Sequence, residues 1–200
     1  MISSASTAGL PVPSPTCDPN TNIGQSSEEI YFKNNWMYLH SIMQINYTTY
    51  DVHRGQDTIN PNTNHCNVMV LADSNDSDAE THAFHYAYVL GIYHVNVIYT
   101  GSRMLDYHAR RLEFVWVQWY NHLQPYGSWS ACTLDHLSFP PITADSAFGF
   151  IDLNDIVRSC HIIPAFHRSH RHGNKRGLSF SARNSSDWIM YYLNQQVMIF

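Results

Sequence analysis

The chain has 200 residues and a formal net charge of −5; 44% of its residues are hydrophobic, 14% aromatic and 14% charged. The length suits one domain of the usual ~100–150 residues plus a tail. The negative charge excludes a global attraction to nucleic acid. The charged fraction is well below the average of ~25%, which favours a fragment or a module that a partner covers.

The absence of targeting and spanning segments sets the expected compartment. The sequence has no run of ~18 apolar residues that could span a membrane, and its start lacks the basic and apolar regions of a signal peptide. The four cysteines are far apart and form no Cys-x-x-Cys pair, which indicates reduced thiols. We therefore expect an intracellular protein without membrane contact.

The N-terminal third predicts a tail followed by short strands. Residues 1–29 are rich in Ser, Thr, Pro, Asn and Gly and are predicted to be disordered, with a single domain over 30–200. The pattern over 36–50 favours one strand, although part of it also fits a helix face. The polar segment 55–64 is predicted to be a loop, and the apolar run 67–71 a buried strand.

The central pair of strands is predicted from two long apolar segments, 84–99 and 112–120. Both are dense in aromatic and β-branched residues, which suit a pleated surface. The first exceeds the usual 3–10 residues of a strand, and Gly91 in its interior predicts a bend. Both faces of the pair are apolar, so we expect other elements to cover both.

The C-terminal third predicts short elements. Residues 147–151 form a strand or turn, and Asp152 is placed to cap a helical turn. Residues 161–166 form a strand that Pro164 confines to an edge, and 188–193 form the last strand. The tally of seven or so short strands with little helix predicts a mainly β fold, a small SH3-like barrel with short helical turns.

Basic residues concentrate near the C-terminus. Six of the eleven Lys and Arg residues lie between Arg158 and Arg183, a window without Asp or Glu. A solvated loop explains such a cluster, and so does contact with phosphates or an acidic partner. The candidate contact residues are Arg168, Arg171, Lys175 and Arg176.

The aromatic residues of the central pair suggest a second kind of site. Tyr86, Tyr88, Trp116 and Trp119 are candidates for a pocket that binds a methylated lysine through cation–π attraction. The alternative is that most of these rings belong to the core, because their strands are apolar on both faces.

No catalytic motif is found. The sequence has no Gly-x-Ser-x-Gly, no Gly-rich phosphate loop and no cysteine in an activating environment, so no cofactor and no small-molecule substrate are expected. The metal-enzyme alternative rests on Glu80, His82 and His85, but positions three apart on a strand face opposite ways. A second histidine cluster, His167 to His172, suits adventitious metal binding.

Six segments of the chain are distinctive: INYTTYDVHRGQDTINP (45–61), YAYVLGIYHVNV (86–97), LEFVWVQWY (112–120), AFGFID (147–152), CHIIPAF (160–166) and WIMYYLN (188–194). Together they resemble the C-terminal part of fungal transposon-derived proteins of the Plavaka and Kyakuja-Dileera-Zisupton type, and the resemblance extends over residues 30–194. Two positions depart from it, since Tyr88 and Gln118 stand where Arg is common. The abrupt end after Asn194 also departs from the family.

The resemblance implies a non-catalytic interaction module of a transposase-like protein. The expected partners are chromatin, DNA or other transposase segments, and the expected location is the nucleus. The departures imply a degenerate or truncated copy without activity as an alternative.

A weaker, fold-level likeness links residues 86–89, 115–120 and 155–164 to bromo-adjacent-homology domains, β-barrels that bind nucleosomes or histone tails.

Overall fold

The computed structural model describes residues 8–11, 30–48, 54–72, 83–100, 107–123, 134–173 and 176–194. Within these ranges the chain is mainly β, as predicted, and its helical parts are three single 3-10 turns at Asp145–Ala147, Leu153–Asp155 and Asn184–Ser186. The strands described are β1 (Ala8–Pro11), β2 (Ile30–His40), β3 (Met43–Thr48), β4 (Arg54–Ile59), β5 (Asn67–Leu71), β6 (Phe84–Tyr99), β7 (Arg110–Trp119), β8 (Asn121–Leu123), β9 (His136–Ser138), β10 (Phe148–Asp152), β11 (Ile156–Ser159), β12 (His161–Pro164) and β13 (Tyr191–Asn194).

The central antiparallel pair is confirmed as β6 and β7, which are in register from Ala87 opposite Trp119 to Val97 opposite Arg110. The register shifts between Val89 and Gly91, so the expected irregularity at Gly91 is a bulge. On its other edge, β6 pairs with β5 over its first half and with β2 over its second half. The long strand therefore changes one of its partners close to the bulge.

The barrel prediction is wrong, because the described strands form three open sheets. A seven-stranded main sheet has the path β1-β2-β6-β5-β11, with β7 on the opposite edge of β6 and β10 beyond it. Because β5 and β2 share one edge of β6, the sheet branches and ends at β1, β11 and β10. Each of these strands pairs with one neighbour among the described strands.

Two smaller sheets complete the described part of the chain. One has the order β12-β13-β9-β8, and the other is the β3–β4 hairpin. The segment predicted as one strand over 36–50 is two strands, β2 and β3. The polar segment predicted as a loop from 55 begins with β4, whose alternate residues are exposed and whose backbone pairs with β3.

Two buried clusters lie on opposite faces of the main sheet. The first packs the β3–β4 hairpin, through Met43 and Ile59, against Val89, Ile92 and Val115 of the central pair. The second packs Tyr86 and Met69 against Leu137, Ile162 and Leu193 of the four-stranded sheet. Each face is thus covered by a separate element, the first by the β3–β4 hairpin and part of the second by the four-stranded sheet.

Smaller predictions at the C-terminal end are also confirmed. Pro164 lies on β12, an outer strand of the four-stranded sheet, where its missing N–H costs no central hydrogen bond. Asp152 caps the turn Leu153–Asp155, since its Oδ1 accepts a hydrogen bond from the N–H of Asn154 at 2.8 Å.

Some predictions fall outside the described residues. Apart from β1, the predicted tail 1–29 does so, and the prediction of disorder there and of a single domain over 30–200 stays a prediction. Glu80, His82 and Lys175 also lie outside.

Replacing Ile92 by Ala tests the first cluster. The side chain is fully buried, so its truncation removes apolar contacts and leaves a cavity that costs about 2–5 kcal/mol in the free energy of unfolding. Urea unfolding followed by circular dichroism measures this loss. The control is Leu71→Ala, a truncation at a side chain that is 64% exposed, and equal losses in the two variants would contradict the assigned core.

Candidate functional site

An open apolar cleft lies on the main sheet where the four-stranded sheet does not cover it. Its cavity volume is about 590 Å³, within the ~300–1,000 Å³ of typical ligand sites. We call it the aromatic cleft and define it by Phe32, Met37, Tyr93, Leu112, Phe114, Trp116 and Phe150.

Four neighbouring strands supply the side chains of the aromatic cleft. Tyr93 of β6 lies opposite Phe114 of β7, and Trp116 of β7 lies opposite Phe150 of β10. Positions of equal parity on paired strands face the same side of a sheet, which gathers these rings on one face. The side chain of Phe150 is 71% exposed, so the cleft presents apolar surface to the exterior.

The rings of the cleft contact one another closely. Tyr93 stacks on Phe114 with ring centroids 5.7 Å apart, and Phe114 meets Phe150 edge to face at 5.6 Å. Both distances lie within the 4.5–7 Å of favourable aromatic pairs. The rings are thus held by each other although the cleft is open.

On β2 the cleft residues Phe32 and Met37 lie on either side of a bulge. The register with β6 shifts between them, and Asn34 and Asn35 in this bulge have φ values of 60° and 55°. Asn tolerates the left-handed region better than most residues. The bulge lets two nearby strand segments face the cleft.

A second, more polar hollow of about 400 Å³ adjoins the aromatic cleft at Tyr93 and Trp116, which line both. Its other wall includes the fully exposed ring of Phe180 and the side chain of Arg183. The guanidinium of Arg183 donates to the carbonyl of Pro61 and, at 3.0 Å, to Oδ1 of Asn62. Arg183 is therefore fixed across the hollow.

The four aromatic residues predicted to form a pocket are not brought together. Trp116 faces the aromatic cleft. Tyr86 belongs to the second cluster, and Tyr88 packs against that cluster. Trp119 packs against the first cluster instead. Burial raises the pKa of Tyr88 to about 12, with Cys66 adding to the rise and Arg183 opposing it.

The predicted basic residues divide by exposure. Arg168 and Arg176 are exposed, whereas Arg171 is half-buried and donates to the carbonyls of Phe139 and Pro140. Arg158 at the start of the basic window pairs with Asp57, Nε to Oδ2, at 3.3 Å. At least part of the local positive charge therefore serves the fold.

Histidine does not gather into a metal centre in the part of the chain that the structure describes, where no three His, Cys, Asp or Glu side chains could hold a metal ion together. His85, the described member of the predicted set, lies edge-on to Trp119 with ring centroids 6.4 Å apart.

Sequence analysis missed a buried histidine pair. His40 Nε2 and His94 Nδ1 are 2.6 Å apart, and Tyr38 stacks on His94 at 4.5 Å. Burial, followed by the charge of Arg111, lowers the pKa of both imidazoles, and Glu113 opposes the shift. The pair is therefore kept neutral, with one ring donating to the other. Only the register of β2 on β6, which sets Tyr38 opposite His94, reveals it.

No family model, curated protein or solved structure matches the chain. The resemblance to transposon-derived proteins therefore stays a prediction. Within the described ranges, none of the helical segments has the length and hydrophobicity needed to cross a bilayer.

Replacing Gly91 by Ala should displace a ring of the cleft. A Cβ at this position would lie 2.5 Å from ring atoms of Tyr93, and the ring must move because the sheet backbone is less free to shift. We expect altered aromatic NMR signals of Tyr93 and a loss of about 1–3 kcal/mol from overpacking. The matched control is Gly173→Ala, where an added Cβ meets nothing within 4 Å; unchanged Tyr93 signals in Gly91→Ala would contradict the packing.

Acid should destabilise the protein through the histidine pair. The folded pKa of each ring lies below the unfolded value of 6.5, so the unfolded state binds more protons as pH falls through this range. The stability that neutral rings contribute is complete above pH 6.5 and is lost as pH falls through the lowered folded pKa. Asp187 acts oppositely, because burial raises its pKa to about 6 and its protonation favours the folded state.

The variant His40→Leu separates these contributions. Its free energy of unfolding, measured by urea titration, should fall less between pH 7.5 and 5.5 than that of the wild type. Exposed His65→Gln is the control and should keep the wild-type difference. An unchanged pH dependence in His40→Leu would refute the assignment.

Proposed function

We propose that this chain is a non-catalytic interaction module that binds an extended segment of a partner protein at the aromatic cleft. The observation that carries the proposal is the position of the cleft beside an outer strand. β10 pairs with β7 alone among the described strands, and it carries Phe150 into the cleft.

An outer strand and an adjoining apolar cleft together favour one kind of occupant. An extended peptide can hydrogen-bond to the free edge of a sheet, and its alternate side chains can enter a neighbouring pocket. The backbone of β10 supplies that edge over Phe148–Asp152. The cleft accepts apolar side chains, since aromatic and aliphatic groups form nearly all of its wall.

The predicted methyl-lysine cage is less well supported than an apolar anchor. A cage places several ring faces around one ammonium group. Phe114 and Phe150 instead touch each other edge to face, which leaves no room for an ammonium between them. An aromatic or long aliphatic side chain that packs on these rings suits the surface better.

We use the resemblance to transposon-derived proteins to choose which partner proteins to test first. Another segment of such a transposase, or a chromatin protein, is the first partner to test, and either would place the chain in the nucleus. Contact with DNA through Arg168 and Arg176 is the competing form of the same hypothesis.

Selection of random displayed peptides on the purified full chain tests the proposal. We expect enriched peptides with aromatic or long aliphatic residues at alternate positions. For such a peptide, Phe150→Ser should raise Kd about 10–100-fold, because burying a Phe is worth about 1.5–3 kcal/mol. Methylation of the peptide backbone at alternate amides should also abolish binding, since it removes the donors that pair with β10.

The matched control is Phe166→Ser. Phe166 has the same exposure as Phe150, 71%, and the same kind of edge-to-face contact, with Trp188 at 5.4 Å. Equal loss of binding in both variants, or no enriched peptide, would overturn the proposal. Salt-sensitive DNA binding that disappears in an Arg168→Ala, Arg176→Ala double variant would assign the function to nucleic acid instead.

A further inference from the structure

A third, smaller hollow lies where Gln118 near the end of β7 meets residues 141–143 and the C-terminal turns. Its volume is about 250 Å³, below that of typical drug-sized sites. We call it the polar hollow and define its polar wall by Gln118, Thr143, Arg171, His172, Asn184 and Asp187.

Three of these polar side chains are almost fully buried: Gln118 is 2% exposed, Asn184 4% and Asp187 7%. Burying a polar group without a hydrogen bond costs free energy, and burying a charge costs more. Such side chains are therefore expected to have partners.

The partners are unequally distributed. Asn184 accepts from the N–H of Ser179 at 3.1 Å, and Arg171 donates to two main-chain carbonyls. By contrast, the amide of Gln118 and the carboxylate of Asp187 have no hydrogen-bond partner within the described part of the chain, and both line the hollow. Two polar residues of low exposure thus line the same small space.

We propose that the polar hollow binds a small neutral ligand with an amide-like edge, in which N–H donors stand beside a carbonyl oxygen. An ionised carboxylate only accepts hydrogen bonds, whereas the amide of a Gln both donates and accepts. Asp187 can therefore accept from the N–H groups of the ligand while Gln118 donates to its carbonyl. A carboxamide, a urea or the edge of a nucleobase has this pattern.

The remaining wall defines the rest of the ligand. Pro141, Ile142 and Leu178 add apolar surface, which suits the face of one planar ring. The positive charge of Arg171 acts on Asp187, so the negative charge of this carboxylate already has a positive charge near it. A ligand that binds in the hollow therefore needs no charge of its own. An anionic ligand would place its charge against Asp187.

The protonation of Asp187 controls this binding. Burial raises its pKa to about 6, and Arg171 opposes the rise. The other titratable groups nearby are His172, which lines the hollow, and Tyr191, whose hydroxyl accepts from the N–H of Trp188 at 2.9 Å. Above pH 6 the carboxylate accepts the donors of the ligand, and below it the proton removes that acceptor.

Benzamide and benzoate are matched probes, because they share a ring and differ in the amide edge. Each is titrated into the ¹⁵N-labelled full chain at pH 7.5 while backbone amide signals are followed by NMR. We expect saturable shifts at residues 142–143, 171–172 and 184–188 with benzamide, and binding of benzoate weaker by at least about tenfold, the effect of losing one hydrogen bond to a charged group.

Two variants separate ligand contact from structural effects. Asp187→Asn keeps the shape of the side chain and should weaken benzamide binding by about tenfold; it should also remove the loss of affinity between pH 7.5 and 5. Asp155→Asn, an exposed acidic residue outside the hollow, is the control and should bind as the wild type does.

Several results would overturn the proposal. A folded protein without saturable shifts indicates a hollow that holds only water, and equal affinity for both probes removes the role of the amide edge. Unchanged benzamide binding in Asp187→Asn removes the role of the carboxylate. None of these results bears on the aromatic cleft, which the peptide experiment tests by itself.

Discussion

The structure depends on β6 and β7 being apolar on both faces, because a sheet of this kind must be covered twice. Burial of apolar surface is worth about 25 cal/mol per Å², so each uncovered region forgoes stabilisation. The β3–β4 hairpin covers one face. The four-stranded sheet covers only the part of the other face that carries Tyr86 and its neighbours, and the aromatic cleft is the part that remains.

The cover on the first face is held by polar contacts as well as by apolar packing. Asp57 on β4 accepts from Nε of Arg158 at 3.3 Å and from the N–H of Ser159 at 3.0 Å. The guanidinium of Arg158 also lies 3.7 Å above the ring of Tyr47 on β3. The hairpin is therefore joined to β11 at both of its strands, and Asp57, one of the polar residues that favoured a loop prediction for this segment, helps to fix its position.

Sequence patterns predicted the strands better than their arrangement. Periodicity and β-branched composition predicted β5, β6 and β7, and Gly91 predicted the irregularity of β6. The branching of the sheet could not be predicted, because nothing in β6 shows that one of its edges serves two strands. The same limit applies to the site: Tyr88 and Trp116 look equivalent in the sequence, yet the register places Tyr88 beside Phe139 and Trp116 in the cleft.

The basic residues between Arg158 and Arg183 show a second limit of prediction from the sequence. Counting Lys and Arg predicted a contact surface for phosphates, whereas Arg158, Arg171 and Arg183 are used to hold loops and strands together. Arg suits this role because its planar group donates in several directions at once to carbonyls or a carboxylate. A cluster of Arg in a sequence therefore does not separate a binding surface from an internal brace.

One face of β7 connects the features on which the two proposals rest. Phe114 and Trp116 line the open cleft, Gln118 lines the polar hollow, and Tyr120, just past the strand, is buried and donates to Oδ1 of Asn67 at 3.1 Å. The surroundings thus change from exterior to core within six residues. A partner protein can cover the apolar end, and tertiary contacts satisfy the buried end. Gln118 lies between them, is 2% exposed and has no side-chain hydrogen bond to another described residue, and this is the position at which we propose that a small polar ligand binds.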